Sequence, residues 1–230
     1  MAKGLGRGSQ GSPSQCVLMI GIIDYGMGNL RSVQKAFERL GHEAAILRTP
    51  AQLDQAHKLI LPGVGAYADA MLHLRERGWV QPLLKTLDAG VPTLGICLGM
   101  QLLFDGSQED ASSPDTLVPG LGVIPGSIVR FTDTQPDGSR IKVPHMGWNS
   151  LTWDAGCPLF AGLEPGAFVY FVHGYYAKPA NDTAVASRTD YGQPFTSAVH
   201  HGHVWATQFH PEKSQQVGMR ILENFAALPS

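Results

Sequence analysis

The segment Val17-Leu-Met-Ile-Gly-Ile-Ile23 is a near-continuous apolar run with no residue fit to face water. A strand with one wet face alternates apolar and polar residues. A run that does not alternate is expected of a strand covered on both faces, as in a parallel sheet flanked by helices. The residues that follow fit that architecture. Asp24-Tyr-Gly-Met-Gly28 is a glycine-punctuated loop, and Asn29 can cap a helix carrying Leu30, Val33, Phe37 and Leu40 along one face, with Gly41 ending it. Ala44 to Leu47 and Leu59 to Leu61 read as the next strands. Pro62-Gly-Val-Gly65 turns into a helix holding Ala70, Met71 and Leu74. Val80 to Leu87 is a further helix, and Pro92 leads into a strand from Thr93 to Ile96. Strand, loop and helix in repeated order predict an α/β fold with a parallel sheet.

The second half is more strand-like. Turns are expected at Pro125-Gly126, Pro136-Asp-Gly138 and His201-Gly202, with a strand from Phe168 to Val172. Val199-His-His-Gly-His-Val204 reads as a hairpin with its tip at Gly202, and a helix from about Ser214 to Ala227 closes the chain. The expectation is therefore a single α/β domain, residues 17–230, with an open, mostly parallel sheet flanked by helices and supplemented by antiparallel strands. Residues 1–16 differ: Gly4 to Gln15 is rich in Gly, Ser, Gln and Pro, and reads as a disordered tail.

Bulk properties exclude several function classes. With 43% hydrophobic and 16% charged residues in 230, the chain resembles an ordinary globular protein, and a formal net charge of -2 gives no reason to expect nucleic acid or anionic membrane as partner. No apolar run reaches the ~18 residues of a membrane span. Three cysteines, Cys16, Cys97 and Cys157, are an odd number without metal-ligand spacing, which argues against a disulfide framework and fits a reducing cytoplasm.

One of those cysteines stands apart. Gly95-Ile-Cys-Leu-Gly99 lies where a buried strand gives way to a helix expected over Met100 to Phe104. Glycines two residues either side of a nucleophile permit the strained strand-to-helix turn that lifts a side chain above the carboxyl end of a sheet. Such a thiol also lies at a helix N-terminus, where thiolate is favoured. On its own the segment also fits a buried structural cysteine. Gln208-Phe-His-Pro-Glu-Lys213 adds a base and a carboxylate two residues apart, with Pro211 restricting the backbone between them. Alone, it also fits a helix start. An activated cysteine needs such a base, and the base needs an orienting partner. Pro62-Gly-Val-Gly65 is a third piece, since glycine amides in a turn can receive the oxyanion that forms when a thiolate attacks an amide carbonyl. The amides of Gly65 and Leu98 are the expected donors; an ordinary turn is the plainer reading.

Taken together, Gly95-Ile-Cys-Leu-Gly-Met-Gln101, His210-Pro-Glu-Lys213 and Leu61-Pro-Gly-Val-Gly65 resemble the class I (triad) glutamine amidotransferases. Within that family, Asp24-Tyr-Gly-Met-Gly-Asn-Leu30, Pro144-His-Met-Gly-Trp-Asn149 and Tyr170-Phe-Val-His-Gly-Tyr175 resemble the branch that serves imidazole glycerol phosphate synthase in histidine biosynthesis. The resemblance spans about Ile20 to Phe225. It implies an α/β hydrolase-like sheet with Cys97 as nucleophile, His210 as general base and acid, and Glu212 holding the imidazole tautomer. It implies that Gly63, Gly65 and Gln101 line a glutamine pocket, with His145 and Ser197 as neighbours. No cofactor is implied. Ammonia would pass to a separate (β/α)8-barrel cyclase subunit, with the Asp24–Leu30 loop including Asn29, together with Trp148 and Lys213, on the docking face. Nothing in the 230 residues reads as an acceptor domain, in keeping with a separate partner.

Other readings remain open on sequence alone. The nearest are a glutaminase of another synthase, a γ-glutamyl hydrolase, and a non-catalytic subunit with a relic site. His200, His201 and His203 lack nearby thiolate or carboxylate, and neighbouring strand residues face opposite ways, so no metal site is expected.

Overall fold

The structure is a computed structural model that describes residues 18–113, 116–134, 138–154 and 156–229. The expected tail with Cys16, the start of the first apolar run, and Pro136 and Asp137 of one expected turn lie outside the described residues.

The first half of the chain lays down β1 (Ile20–Ile23), α1 (Leu30–Arg39), β2 (Ala44–Leu47), β3 (Lys58–Gly63), α2 (Tyr67–Glu76), α3 (Val80–Asp88), β4 (Thr93–Cys97) and α4 (Leu98–Leu102). There follow β5 (Phe104–Ser107), β6 (Val118–Pro119), β7 (Ile124–Arg130), β8 (His145–Ser150), β9 (Phe168–His173) and β10 (Tyr175–Pro179). The chain ends with β11 (Val185–Asp190), β12 (Pro194–His201), β13 (Val204–Thr207) and α5 (Gln215–Ala227). An 11-stranded sheet has the order β2-β1-β3-β4-β13-β12-β10-β7-β5-β6, with β11 on β12. From β2 to β13 every pairing is parallel. Antiparallel pairing begins at β13–β12 and continues through β10 to β7. β8 and β9 form a separate two-stranded ribbon.

Side-chain alternation explains why the central strands carry unbroken apolar runs. Ile23, Leu59 and Leu61 face one apolar layer with Tyr67, Met71, Leu74 and Leu83 of α2 and α3. Ile22, Ile60, Leu94 and Ile96 face the other, with Val33 and Phe37 of α1 and Ile221 and Phe225 of α5. Both faces are dry, and each fully buried side chain of this size is worth about 1.5–3 kcal/mol. The expected α/β architecture is the observed one.

Local departures have identifiable causes. Asn29 stands at the first cap of α1 but makes no side-chain cap bond. The other end behaves as expected: Gly41, at φ +83, lets its own amide reach Glu38 O and the His42 amide reach Phe37 O. The helix expected over Met100 to Phe104 instead spans Leu98–Leu102 and gives way to β5 at Phe104. The amides of Leu121, Val123 and Ile124 take the carbonyls of Leu102 and Leu103, which pulls the chain out of the helix. Pro125-Gly126 is no turn but lies inside β7, where the β5–β7 register slips. A Cβ on Gly126 would come within 2.5 Å of Lys178 O on the adjacent strand. The hairpin at Gly202 forms as expected, with His201 opposite Val204.

Candidate active site

The turn after β4 is built by close contact. A Cβ on Gly99 would lie 1.8 Å from Leu61 O, and one on Gly95 would lie 3.0 Å from Gly99 O and from Met100 N. A side chain at Gly99 would drive α4 off β3, and one at Gly95 would drive it off β4. With both glycines in place, α4 starts directly after Cys97, which is held at φ 54, ψ -109. That conformation is costly for a residue with a Cβ, by about 1–3 kcal/mol, and persists because its surroundings over-determine it. Cys97 is 7% exposed at the head of the turn.

Parallel register decides what surrounds the sulfur. Gly63 at the end of β3 pairs with Cys97 on one side. On the other, Thr207 of β13 pairs with Ile96, so Gln208 and His210 emerge beside the nucleophile position. His210 Nδ1 lies 2.8 Å from Glu212 Oε1, and the two side chains are only 2% and 1% exposed. Ser214 locks this segment: its hydroxyl donates to His210 O at 2.7 Å and accepts from the Tyr170 amide of β9 at 3.0 Å. Burial disfavours a charge on His210, but the Cys97 sulfur and the Glu212 carboxylate outweigh it and push the imidazole up to about 9. Its Nε2 is buried without a hydrogen-bond partner among the described residues.

Cys97 and His210 open on a cavity of about 310 Å³ whose wall includes Val64, Gly65, Leu98, Gln101 and Glu109. Gly65 adopts φ +98 and lines the same cavity as Cys97. Gly63 is buried behind the wall, where a Cβ would meet Tyr25 Oη at 2.6 Å. Two expected neighbours stand outside the cavity. Ser197 is buried with its hydroxyl 2.8 Å from Ser187 Oγ and its carbonyl accepting the Gln208 amide. His145 stacks on Tyr191 and Phe171, with its Nδ1 3.2 Å from His173 Nε2. It is His173 that reaches the wall. Burial holds His145 down to about 4. It also lowers His173, to about 3, against the hydrogen bond to Tyr175 O that favours the charged ring, with repulsion from His145 and His210 adding to the lowering.

Sequence reasoning missed Gln208, Glu109 and His173. Gln208 and His173 stood inside motifs already singled out, but no spacing rule separates them from their neighbours. Glu109 sits in a polar loop with no periodic signal. It is the only carboxylate among the described lining residues, and burial raises its pKa, with nearby Asp110 adding to the rise.

Of the expected docking residues, Asn29 and Lys213 are exposed. Trp148 is 45% exposed and meets Tyr170 edge-on. His200 lies flat on Trp205 at 3.5 Å, a stacking role. Cys157 lines a different cavity with Trp153 and Arg188, and burial pushes its thiol up, away from reactivity.

A strained cysteine between a glycine turn and a His–Glu pair is the arrangement that an amide-hydrolysing thiol needs. Residues 21–228 match the family described as glutamine amidotransferase class-I. The chain belongs to that family. As a class-I amidotransferase it is 54% identical over 208 residues to "Imidazole glycerol phosphate synthase subunit HisH" of Syntrophotalea carbinolica, covering 90% of this chain and 98% of that protein. The protein of the same name from Desulfitobacterium hafniense is 50% identical, with 90% and 93% covered. Among solved structures, one titled "Crystal structure of glutamine amidotransferase" superposes with a TM-score of 0.67 at 22% identity, covering 90% and 99% of the two chains. PurLQS from Thermotoga maritima gives 0.68 at 20%, covering 91% and 97%. Likeness at that identity speaks for the fold, and the amidotransferase fold is the one observed.

Proposed function

We propose that this amidotransferase is the glutaminase subunit of imidazole glycerol phosphate synthase, hydrolysing glutamine and handing ammonia to a cyclase subunit. The observation that carries this reading is 54% identity over nearly the full length of a protein of that name. The buried Cys97–His210–Glu212 arrangement supports the chemistry.

In this reading His210 takes the Cys97 proton, and the sulfur attacks the side-chain carbonyl of glutamine. The Gly65 and Leu98 amides receive the oxyanion. His210 then protonates the leaving nitrogen, the C–N bond breaks, and a γ-glutamyl thioester remains on Cys97. Water, deprotonated by His210, attacks the thioester; the C–S bond breaks and glutamate leaves. Glu212 keeps the imidazole in the tautomer with Nε2 toward the sulfur and balances its positive charge. Gly63 lets β3 close against the elbow, and Gln101 lines the pocket. Glu109 faces the one cationic group of the substrate, its α-ammonium. Ser197 and His145 act from behind the wall.

Asn29, Trp148 and Lys213 belong in this reading to the face that meets the (β/α)8-barrel cyclase, with residues 17–230 as the working domain and 1–16 as a tail. Among the described residues no helix is long and apolar enough to cross a membrane, which suits the cytoplasm where this biosynthesis belongs.

The test is glutamate release from glutamine, with and without the cyclase subunit carrying its ribonucleotide ligand. Stimulation by the liganded cyclase is expected. Activity indifferent to that cyclase would assign the glutaminase to another synthase.

A further inference from the structure

Gln208 is fully buried and lies directly after β13, its backbone amide tied to Ser197 O at 2.8 Å. Its side-chain Nε2 points at Cys97 Sγ from 3.9 Å, and its Oε1 accepts from Gln101 Nε2 at 3.0 Å. Gln101 Nε2 also donates to the backbone carbonyl of Tyr175 at 3.2 Å. A carbonyl can only accept, so that contact fixes the amino end of the Gln101 amide. The Gln208 atom facing that amino group must then be its oxygen, and its own amino group is left to face the sulfur. Reversing the Gln208 amide would set two amino groups against each other and aim a lone pair at the nucleophile.

The anchor of this chain is itself well determined. Tyr175 O also accepts from His173 Nδ1 at 2.7 Å, which puts the His173 proton on Nδ1 and leaves Nε2 an acceptor. His145 Nδ1 donates to that Nε2, and Asn149 Nδ2 stands 3.4 Å from His145 Nε2. Every proton in the series has one place to be, provided both histidines are neutral.

We propose that Gln208 acts directly on the reacting sulfur, its amide N–H donating to the Cys97 thiolate, with Gln101 deciding which end of that amide faces the nucleophile. The proposal rests on Cys97 being the nucleophile and adds a group that the Cys–His–Glu arrangement does not contain. A hydrogen bond to an ionised acceptor is stronger than one to a neutral acceptor, so the donor favours thiolate over thiol. Gln208 is absent from the residues lining the substrate cavity. It therefore contributes to the reactivity of the sulfur and not to glutamine affinity.

The test is the pH dependence of Cys97 alkylation by iodoacetamide in the full chain, followed by peptide mapping to separate it from Cys157. Gln208→Met keeps the volume and removes the donor. It is expected to shift the alkylation profile to higher pH and to slow the reaction about tenfold at a fixed pH below the midpoint. Gln208→Glu replaces the donor with an acceptor and is expected to shift it further. Gln101→Met should produce a smaller shift in the same direction by releasing the Gln208 amide. In the complex with the cyclase, Gln208→Met should lower kcat for glutamine while leaving KM within about twofold; a purely structural role would move both. An unchanged alkylation profile in Gln208→Met would overturn the proposal. If that variant fails to fold, an unchanged profile in Gln101→Met would do the same. Alkylation reads the sulfur itself, so loss of the glutaminase reading by Cys97→Ser retaining activity is a separate outcome.

Discussion

His210 and Glu212 meet through Nδ1 and Oε1 at 2.8 Å with both side chains almost wholly out of water, although each sits on a tight turn at the surface end of β13. Pro211 between them fixes the backbone so that a pair two residues apart closes on itself. The carboxylate holds one ring nitrogen, and the other has no hydrogen-bond partner among the described residues, which in the proposed reaction leaves it for the thiol. Glu212→Gln keeps the shape but removes the charge and allows the wrong tautomer. A fall in kcat of about 10²- to 10⁴-fold with little change in KM is expected. Steady-state glutamine hydrolysis in the presence of the cyclase measures it.

The two neutral histidines make stability depend on pH with a definite sign. His145 and His173 sit at about 4 and about 3 in the fold, below the usual 6.5 of the free side chain. Below 6.5 the unfolded chain binds protons that the native state refuses. Their contribution is therefore present above 6.5 and lost as pH falls toward 4, by about 1.4 kcal/mol per pH unit for each histidine. His210 has the opposite sign: its contribution is present below 6.5 and lost as pH rises through about 9. Denaturant titrations of the parent and His145→Gln from pH 7.5 to 4.5 should show a shallower acid loss in the variant.

Gly99→Ala is expected to be severe. The new methyl would meet Leu61 O at 1.8 Å, and that oxygen belongs to a central strand with no freedom to retreat. A loss of about 3 kcal/mol or more is expected, with thermal unfolding as the readout. Gly41→Ala meets nothing within 4 Å but carries φ +83, so its effect is confined to backbone strain of about 1–2 kcal/mol.

Trp148→Ala separates docking from folding. The indole is half exposed and rests edge-on against Tyr170, so its removal should lower the stability of the isolated chain by only about 1–2 kcal/mol. A tryptophan at a protein interface is worth about 2 kcal/mol or more, so calorimetric titration with the cyclase should show affinity at least about thirtyfold weaker. Unchanged affinity would remove Trp148 from the docking face.

Much of this was legible in the sequence because the central strands of the first half bury both faces and alternate along the chain with their helices. The elbow glycines, the His-Pro-Glu turn and the hairpin at Gly202 are local features that short-range sterics specify. What escaped was set by long-range pairing. The fate of Pro125-Gly126 depends on Lys178 across the sheet, and the early end of α4 on amides some twenty residues on in the chain. Ser197 and His145 looked like pocket residues, yet register turned one to Ser187 and the other to an aromatic stack. Gln208 shares a motif with His210, but only the Gln101 contact shows which way its amide points.

The central claim is that glutamine is opened on the sulfur of Cys97. Acid quenching of the complex during turnover, followed by mass spectrometry of the peptide containing Cys97, tests it most directly. A γ-glutamyl adduct on that cysteine, absent in Cys97→Ser and not found on Cys157, is the predicted result. Steady glutamate production by Cys97→Ser, with no adduct at any quench time in the parent, would contradict it.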